Sequence, residues 1–144
     1  MFLVTRRYQF AASHRLYSPL LSESENERVY GKCAQPYGHG HNYAVEVSAR
    51  GTLDPVSGRA LNTAVLDQLV ARHVLQPFDH RNLNIEVEAF QDTVPTAESL
   101  AMEIGRRLKR SWNTAFPAGG PQLEKIRVAE TPRNTCEIGA DEIE

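Results

Sequence analysis

Apolar residues recur along this chain with two different periods, and the changes between them mark its elements. From Leu3 to Ser13, Val4, Tyr8, Phe10 and Ala12 share one face, the two-residue period of a half-buried strand, and His14 follows on the same side. A second such run, about His41 to Gly51, carries Tyr43, Val45, Val47 and Ala49 on one face. Between them Leu16 to Gln35 shows neither period, and Ser18-Pro19 with Ser22 to Glu27 reads as a long polar loop. After the turn residues Asp54-Pro55-Val56-Ser57-Gly58 the period lengthens. Leu61, Val65, Leu66, Leu69, Val70, His73 and Val74 fall on one stripe of a helix over Leu61–Leu75, with Pro77 as its stop. A polar connection leads to a second helix near Thr96, a suitable N-cap with Pro95 before it and Glu98 in the first turn. Its buried side is predicted as Ala97, Leu100, Ala101, Ile104, Leu108 and Trp112, with Gly105 marking a close approach. Beyond Pro117-Ala118-Gly119-Gly120-Pro121, Lys125–Thr131 returns to period two with Ile126, Val128 and Glu130 inward, and a short strand over Thr135–Ile138 ends the pattern.

The order strand, strand, helix, helix, strand, strand (ββααββ) predicts an α+β fold, an antiparallel four-stranded sheet covered on one face by two helices. Its open edges would expose unpaired backbone unless another chain met them, so an oligomer is expected. At 144 residues, with no linker or repeat, the pattern predicts a single domain over 1–144. Charge narrows the partners: 16 basic against 18 acidic residues argue against a nucleic-acid surface or a polybasic membrane anchor. Two cysteines do not make a secreted disulfide framework, no apolar run approaches a membrane span, and no signal-like segment follows Met1. The expectation is a soluble, cytoplasmic globular protein.

Candidate chemistry concentrates around Lys32–Tyr43. His39 and His41 stand two apart at the start of a strand, on one face, with Cα atoms roughly 6.6 Å apart. A His-x-His pair in a polar turn can be merely solvated, and a lone buried His14 can be a satisfied core residue. Three histidines at two neighbouring strand ends instead suit a catalytic zinc ion, held by three imidazoles with a fourth position open. Cys33, six positions before His39, lies in a loop-like setting where nearby imidazoles and metal would lower its pKa and let it accept protons. Cys136, on a short strand with no polar company, reads as an inert small hydrophobe. Asp79 and His80 could form an acid–base pair if a turn brought their adjacent side chains together. Glu130 shares the inward parity of Ile126 and Val128; it is either a strand-end acid reaching water or an anchor for a ligand edge with paired N–H donors.

Several spaced motifs, in order over nearly the whole chain, carry a resemblance. Phe10-Ala11-Ala12-Ser13-His14-Arg15-Leu16, Gly31-Lys32-Cys33, Gly38-His39-Gly40-His41-Asn42-Tyr43, Leu53-Asp54-Pro55, Asp79-His80-Arg81-Asn82-Leu83, Pro95-Thr96-Ala97-Glu98 and Ala129-Glu130-Thr131 resemble the 6-pyruvoyl-tetrahydropterin synthase family. The resemblance implies the tunnelling fold (T-fold): barrel-forming trimers, two of them stacked as a homohexamer, with active sites between subunits. It implies His14, His39 and His41 as ligands of Zn2+. Cys33 would be the proton-abstracting residue, with Asp79 and His80 as its partners from a neighbouring subunit. Glu130 would anchor the pterin ring, in a pocket lined by Thr96 and Glu98. The implied reaction converts 7,8-dihydroneopterin triphosphate into 6-pyruvoyl-tetrahydropterin with elimination of triphosphate, a zinc-dependent phosphorus–oxygen lyase activity of tetrahydrobiopterin biosynthesis.

A second branch of the family, 6-carboxytetrahydropterin synthase of queuosine biosynthesis, is the alternative. Five residues, Ala34 to Gly38, separate Cys33 from His39, which is the pyruvoyl-branch spacing, whereas Pro95-Thr96-Ala97-Glu98 departs from the Thr-Thr-Glu run of animal members. Two rivals from other classes remain. A cupin-like metal oxygenase would use His39, His41 and Glu46, but strand parity turns Glu46 to the other face unless a bulge intervenes. A non-catalytic zinc- or pterin-binding module would let Cys33 close the metal shell as a fourth ligand.

Overall fold

The computed structural model describes residues 1–144. Five strands form one sheet, in the order β3-β1-β2-β4-β5. β1 (Phe2–His14) and β2 (His39–Gly51) make the central antiparallel pair. β4 (Gln122–Thr131) joins β2, and β5 (Asn134–Gly139) closes that edge, both antiparallel. On the other edge the two-residue β3 (Arg81–Asn82) runs parallel to β1. The sheet is therefore mixed and five-stranded where the pattern predicted four antiparallel strands. A strand of two residues has no period to read.

Helices cover one face. α2 (Thr63–Val70) is capped by Asn62, whose side chain accepts from the Val65 N–H, and continues through one wide turn, Ala71–Leu75, into α3 (Gln76–Phe78). Pro77 thus lies inside the last turn rather than ending the helix at Leu75. The wide turn, in which the Gln76 N–H reaches Ala71 O, gives room to a ring that would otherwise press on the preceding turn. After α4 (Leu83–Glu86), the long helix α5 (Ala97–Ala115) starts at the expected N-cap, Thr96, whose hydroxyl accepts from the Ser99 N–H. Its expected apolar stripe is buried from Ala97 to Trp112. Gly105 is there for space: a Cβ at this position would stand 2.5 Å from the Ile143 side chain.

The stretch expected to be a structureless loop contains α1 (Glu23–Tyr30), set by a capping box between Ser22 and Glu25. Its inner contact is polar. Asn26 is 1% exposed and donates to the carbonyls of Ser18, Leu21 and Ser22 while accepting from the Ser18 N–H.

The core lies between sheet and helices. Phe10, Tyr43, Val45, Val47, Ile126 and Val128 from the strands meet Leu66, Val70, Phe78, Leu100, Ile104 and Leu108 from the helices. Each such side chain contributes about 1.5–3 kcal/mol by leaving water. At the far end of β1, Arg6 pairs with Asp67 of α2 (Nη2 to Oδ2 2.6 Å) and Tyr8 donates to the same carboxylate at 2.6 Å. The other face of the sheet is bare of helices. Across it runs a register row of alternating charge: Arg7 opposite Glu46, Glu46 opposite Arg127, Arg127 opposite Glu137.

Candidate active site

The β1–β2 ladder runs without a slip from Phe2 opposite Gly51 to His14 opposite His39. Unbroken pairing preserves parity, so His14, His39 and His41 emerge on the helix-covered face at one end of the sheet. His14 is fully buried. Its Nε2 lies 3.1 Å from Nε2 of His41, and the Cys33 sulfur lies 2.8 Å from His39 Nε2 and 3.9 Å from His41 Nε2. One donor atom from each of His14, Cys33, His39 and His41 falls within 4.8 Å of all the others. Two imidazole lone pairs at such a spacing repel unless a proton or a cation sits between them. Three imidazoles and a thiol are the donor chemistry that zinc prefers, so the residues fit that ion.

The proton inventory agrees. His14 Nδ1 is 3.1 Å from the Pro95 carbonyl and 3.0 Å from the Tyr43 hydroxyl. A carbonyl only accepts, so Nδ1 carries the hydrogen and Nε2 turns its lone pair to the cluster. Burial, then the neighbouring charge of His41, brings the His14 pKa down to about 4. Burial followed by His39 lowers that of His41 as well. Both rings are neutral at pH 7, the form that binds metal. Tyr43 is itself immobilised, fully buried and stacked on Phe10 with centroids 5.1 Å apart.

Cys33 sits in a single helical turn, Gly31–Ala34, whose Cys33 carbonyl accepts from the Leu16 N–H at 2.7 Å. Burial pushes its thiol up, and the charge of Glu130 adds to the rise. The chain then returns to β2 through Gly38 at φ 66°, where a Cβ would stand 2.2 Å from the His14 carbonyl oxygen. Only glycine allows that approach.

Glu130, the penultimate residue of β4, faces inward, 8% exposed, with Oε1 3.8 Å from His41 Nε2. Burial raises its pKa; a hydrogen bond from the Asn134 side chain works the other way, and the charge of Glu98 adds to the rise. Glu98 is exposed on the first turn of α5, and Thr96 spends its hydroxyl on the helix cap. Cys136 is pushed up to about 11, first by burial and then by Glu98, and joins no donor cluster.

Asp79 and His80 form the turn that adjacency demanded. His80 is the one non-glycine residue at positive φ (60°), its N–H donates to Ala11 O at 2.6 Å, and its Nδ1 lies 3.1 Å from Asp79 Oδ1. Asp79 Oδ1 also accepts from the Ala11 N–H at 3.0 Å. Strain of this kind persists where surrounding bonds enforce it. The pair stands at the β3 edge with the His80 side chain 83% exposed, in a groove of about 520 Å³ that His41 and Asn42 also line. Within one chain no hydrogen bond or ion pair joins it to Cys33, and it stands outside the His14–Cys33–His39–His41 cluster.

The chain therefore assembles His14, His39, His41, Cys33 and Glu130, and leaves Asp79–His80 apart. Glu46 lies on the opposite sheet face, between Arg7 and Arg127, so the two-histidine, one-carboxylate site of the cupin rival does not form. A larger groove, about 570 Å³ between Thr52–Ala64 and Gly119–Pro121, contains no histidine or cysteine. Chemistry, not volume, places the site. Sequence reasoning missed the Tyr43 hydroxyl and the Pro95 carbonyl as partners of His14; a tyrosine two positions past His41 on the same face was the available signal.

The family model for 6-pyruvoyl tetrahydropterin synthase matches residues 3–141. The chain belongs to this family. It is 44% identical over 131 residues to the human 6-pyruvoyl tetrahydrobiopterin synthase, covering 91% of this chain and 86% of that one. To the protein of the same name from Poecilia reticulata it is 45% identical over 131 residues, covering 91% and 85%. The 6-pyruvoyl tetrahydropterin synthase structure from Caenorhabditis elegans superposes with a TM-score of 0.83 at 37% identity, over 96% of this chain and 94% of that one. The T-fold of the 6-pyruvoyl tetrahydropterin synthase family is thus the fold of this chain, and the family is one of enzymes.

Proposed function

We propose that this protein is a zinc-dependent phosphorus–oxygen lyase that converts 7,8-dihydroneopterin triphosphate into 6-pyruvoyl-tetrahydropterin and triphosphate, as the names of its animal relatives suggest. One observation carries the reading: a thiol, three imidazole nitrogens and a buried carboxylate converge at one strand end, with the sulfur beside the nitrogen cluster. His14, His39 and His41 hold the metal, and Cys33 abstracts the proton. When bound, zinc supplies Lewis acidity that polarises a substrate oxygen and acidifies the adjoining C–H bond.

The residues account for the rest. Glu130, kept from water, presents carboxylate oxygens to the paired N–H donors of an aminopyrimidinone edge. Thr96 and Glu98 close the pocket beside it. Burial and the charge of Glu130 raise the Cys33 pKa, and positive charge held by the neighbouring imidazoles would favour the thiolate that proton abstraction needs. The exposed Asp79–His80 pair exchanges protons at the site of a neighbouring copy in a homohexamer of stacked trimers. Two features support that assembly: an exposed pair with no bond to its own Cys33, and short edges, β3 and β5, open for pairing. No helix is long and apolar enough to cross a membrane, and both cysteines are free, in keeping with work on a soluble pterin in the cytoplasm.

The test is incubation of the zinc-loaded protein with dihydroneopterin triphosphate, followed by mass identification of the pterin. Release of triphosphate with a three-carbon side chain retained is the expected result. A 6-carboxytetrahydropterin would assign the other branch, and unchanged substrate would overturn the catalytic reading.

A further inference from the structure

The end of β1 is gripped by a side chain that belongs to no motif of the chemistry. Asn84, just after β3, uses both ends of its amide on one residue: Oδ1 accepts from the Arg15 N–H at 2.7 Å and Nδ2 donates to the Arg15 carbonyl at 2.9 Å. These bonds continue the β1–β3 pairing, Ala12 with Arg81 and Ser13 with Asn82, by a side chain where backbone pairing stops. Asn84 is held in turn, its own N–H donating to Asn82 Oδ1 at 3.0 Å.

What Asn84 holds, holds the thiol loop. Arg15 Nε donates to the Ala34 carbonyl at 3.1 Å, and the Leu16 N–H donates to the Cys33 carbonyl at 2.7 Å. The Arg15 guanidinium is fixed over the Tyr17 ring, 4.2 Å from its centroid. The consecutive carbonyls of Cys33 and Ala34 are thus bonded to Leu16 and Arg15, and Asn84 fixes the Arg15 backbone from which Leu16 follows directly. Asn84 thereby links the segment after His80, through Arg15, to the loop that carries Cys33.

We propose that Asn84 is a positioning residue for Cys33: through Arg15 and Leu16 it sets where the sulfur stands against the imidazole cluster. It also couples two parts of one chain, since the strand it extends begins directly after Asp79–His80. The effect on turnover rests on the role given to Cys33 above; the placement of the sulfur does not.

The test compares Asn84→Ala, Asn84→Asp and a control, Asp67→Asn, which loosens the far end of the same strand. Iodoacetamide labelling of Cys33 in the metal-stripped full chain, read by peptide mass, reports how the half-buried sulfur is held. Asn84→Ala should speed labelling several-fold and lower kcat of the zinc-loaded protein by about 10–100-fold with KM nearly unchanged, because small misplacements of a reacting group act on kcat. Zinc content should stay at the wild-type value. Asn84→Asp, which keeps the acceptor and loses the donor, should fall between wild type and Asn84→Ala, and it serves as the primary variant if Asn84→Ala does not fold. Asp67→Asn should lower Tm without moving labelling or kcat. Wild-type labelling and kcat in both Asn84 variants would overturn the proposal, as would equal effects from Asp67→Asn. If the wild-type protein leaves the pterin triphosphate untouched, the proposed function fails, and the labelling arm still decides the placement.

Discussion

Gly38→Ala gives the sharpest test of the geometry, because two separate penalties meet there and the molecule contains a control for one of them. Gly38 has φ 66°, and an alanine Cβ at that position would lie 2.2 Å from the His14 carbonyl oxygen and 2.8 Å from its carbon. Gly119 has φ 88° with nothing within 4 Å of an added Cβ. Gly119→Ala therefore measures the left-handed backbone alone, about 1–2 kcal/mol. Gly38→Ala adds the clash, and relieving it requires a retreat of roughly 1 Å, since ordinary non-bonded contacts begin above about 3 Å. A total near 3 kcal/mol is expected, a fall in Tm of about 10 °C for a chain of this size. The retreat moves the Cys33–His39 segment away from His14, so zinc affinity should drop and kcat should fall by about 100-fold. Thermal melts, chelator competition and steady-state kinetics on both variants read these quantities. Equal Tm losses in Gly38→Ala and Gly119→Ala, with zinc affinity intact, would refute the claim that the loop needs that close approach.

Cys33→Ala should retain zinc and fold while turnover drops by at least 100-fold; loss of metal instead would make Cys33 a fourth ligand, as zinc analysis of the purified variant would reveal. Tyr43→Phe removes one of the two partners of the His14 N–H and should weaken zinc binding by about 10-fold, measured by chelator competition, with the Pro95 carbonyl retaining the tautomer. For the metal-stripped protein, His14 sets an acid-labile window. Its folded pKa, about 4, lies below the ordinary 6.5, so the unfolded chain binds the extra proton and stability falls as pH drops from 6.5 to about 4. The slope should approach the one-proton value of about 1.4 kcal/mol per pH unit, and zinc loading should shift the window to lower pH, as melts across pH 4–7 will show.

Much of this was legible in the sequence where local signals and burial agreed. Helix α5 could be placed to the residue because Thr96 caps it, Pro95 blocks any earlier start, and a stripe from Ala97 to Trp112 meets the sheet. Two-residue parity placed His14, His39 and His41 inward through the unslipped β1–β2 ladder, and Glu130 through its spacing from Ile126 and Val128 within β4. Helix α1 was illegible to periodicity because it packs through Asn26, a polar plug, rather than an apolar stripe; Ser22 with Glu25 carried the only signal. The mixed edge was hidden for another reason. β3 owes its place to the left-handed turn at His80 and to Asp79 holding Ala11, contacts 68 or more residues apart in sequence. Parity says which face a residue takes but not which edge, so the distance between Asp79–His80 and Cys33 had to come from the structure.

The row from Arg7 through Glu46 and Arg127 to Glu137 decides how the bare side of the sheet can be used. Pressing it against a dry apolar layer would strip hydration from four ions at once, and no ion pair within the row offsets that penalty, since Glu137 pairs with Lys125 instead. That side must therefore stay wetted, as the wall of a water-filled lumen does. Any joining of copies is left to strand margins and strand tips.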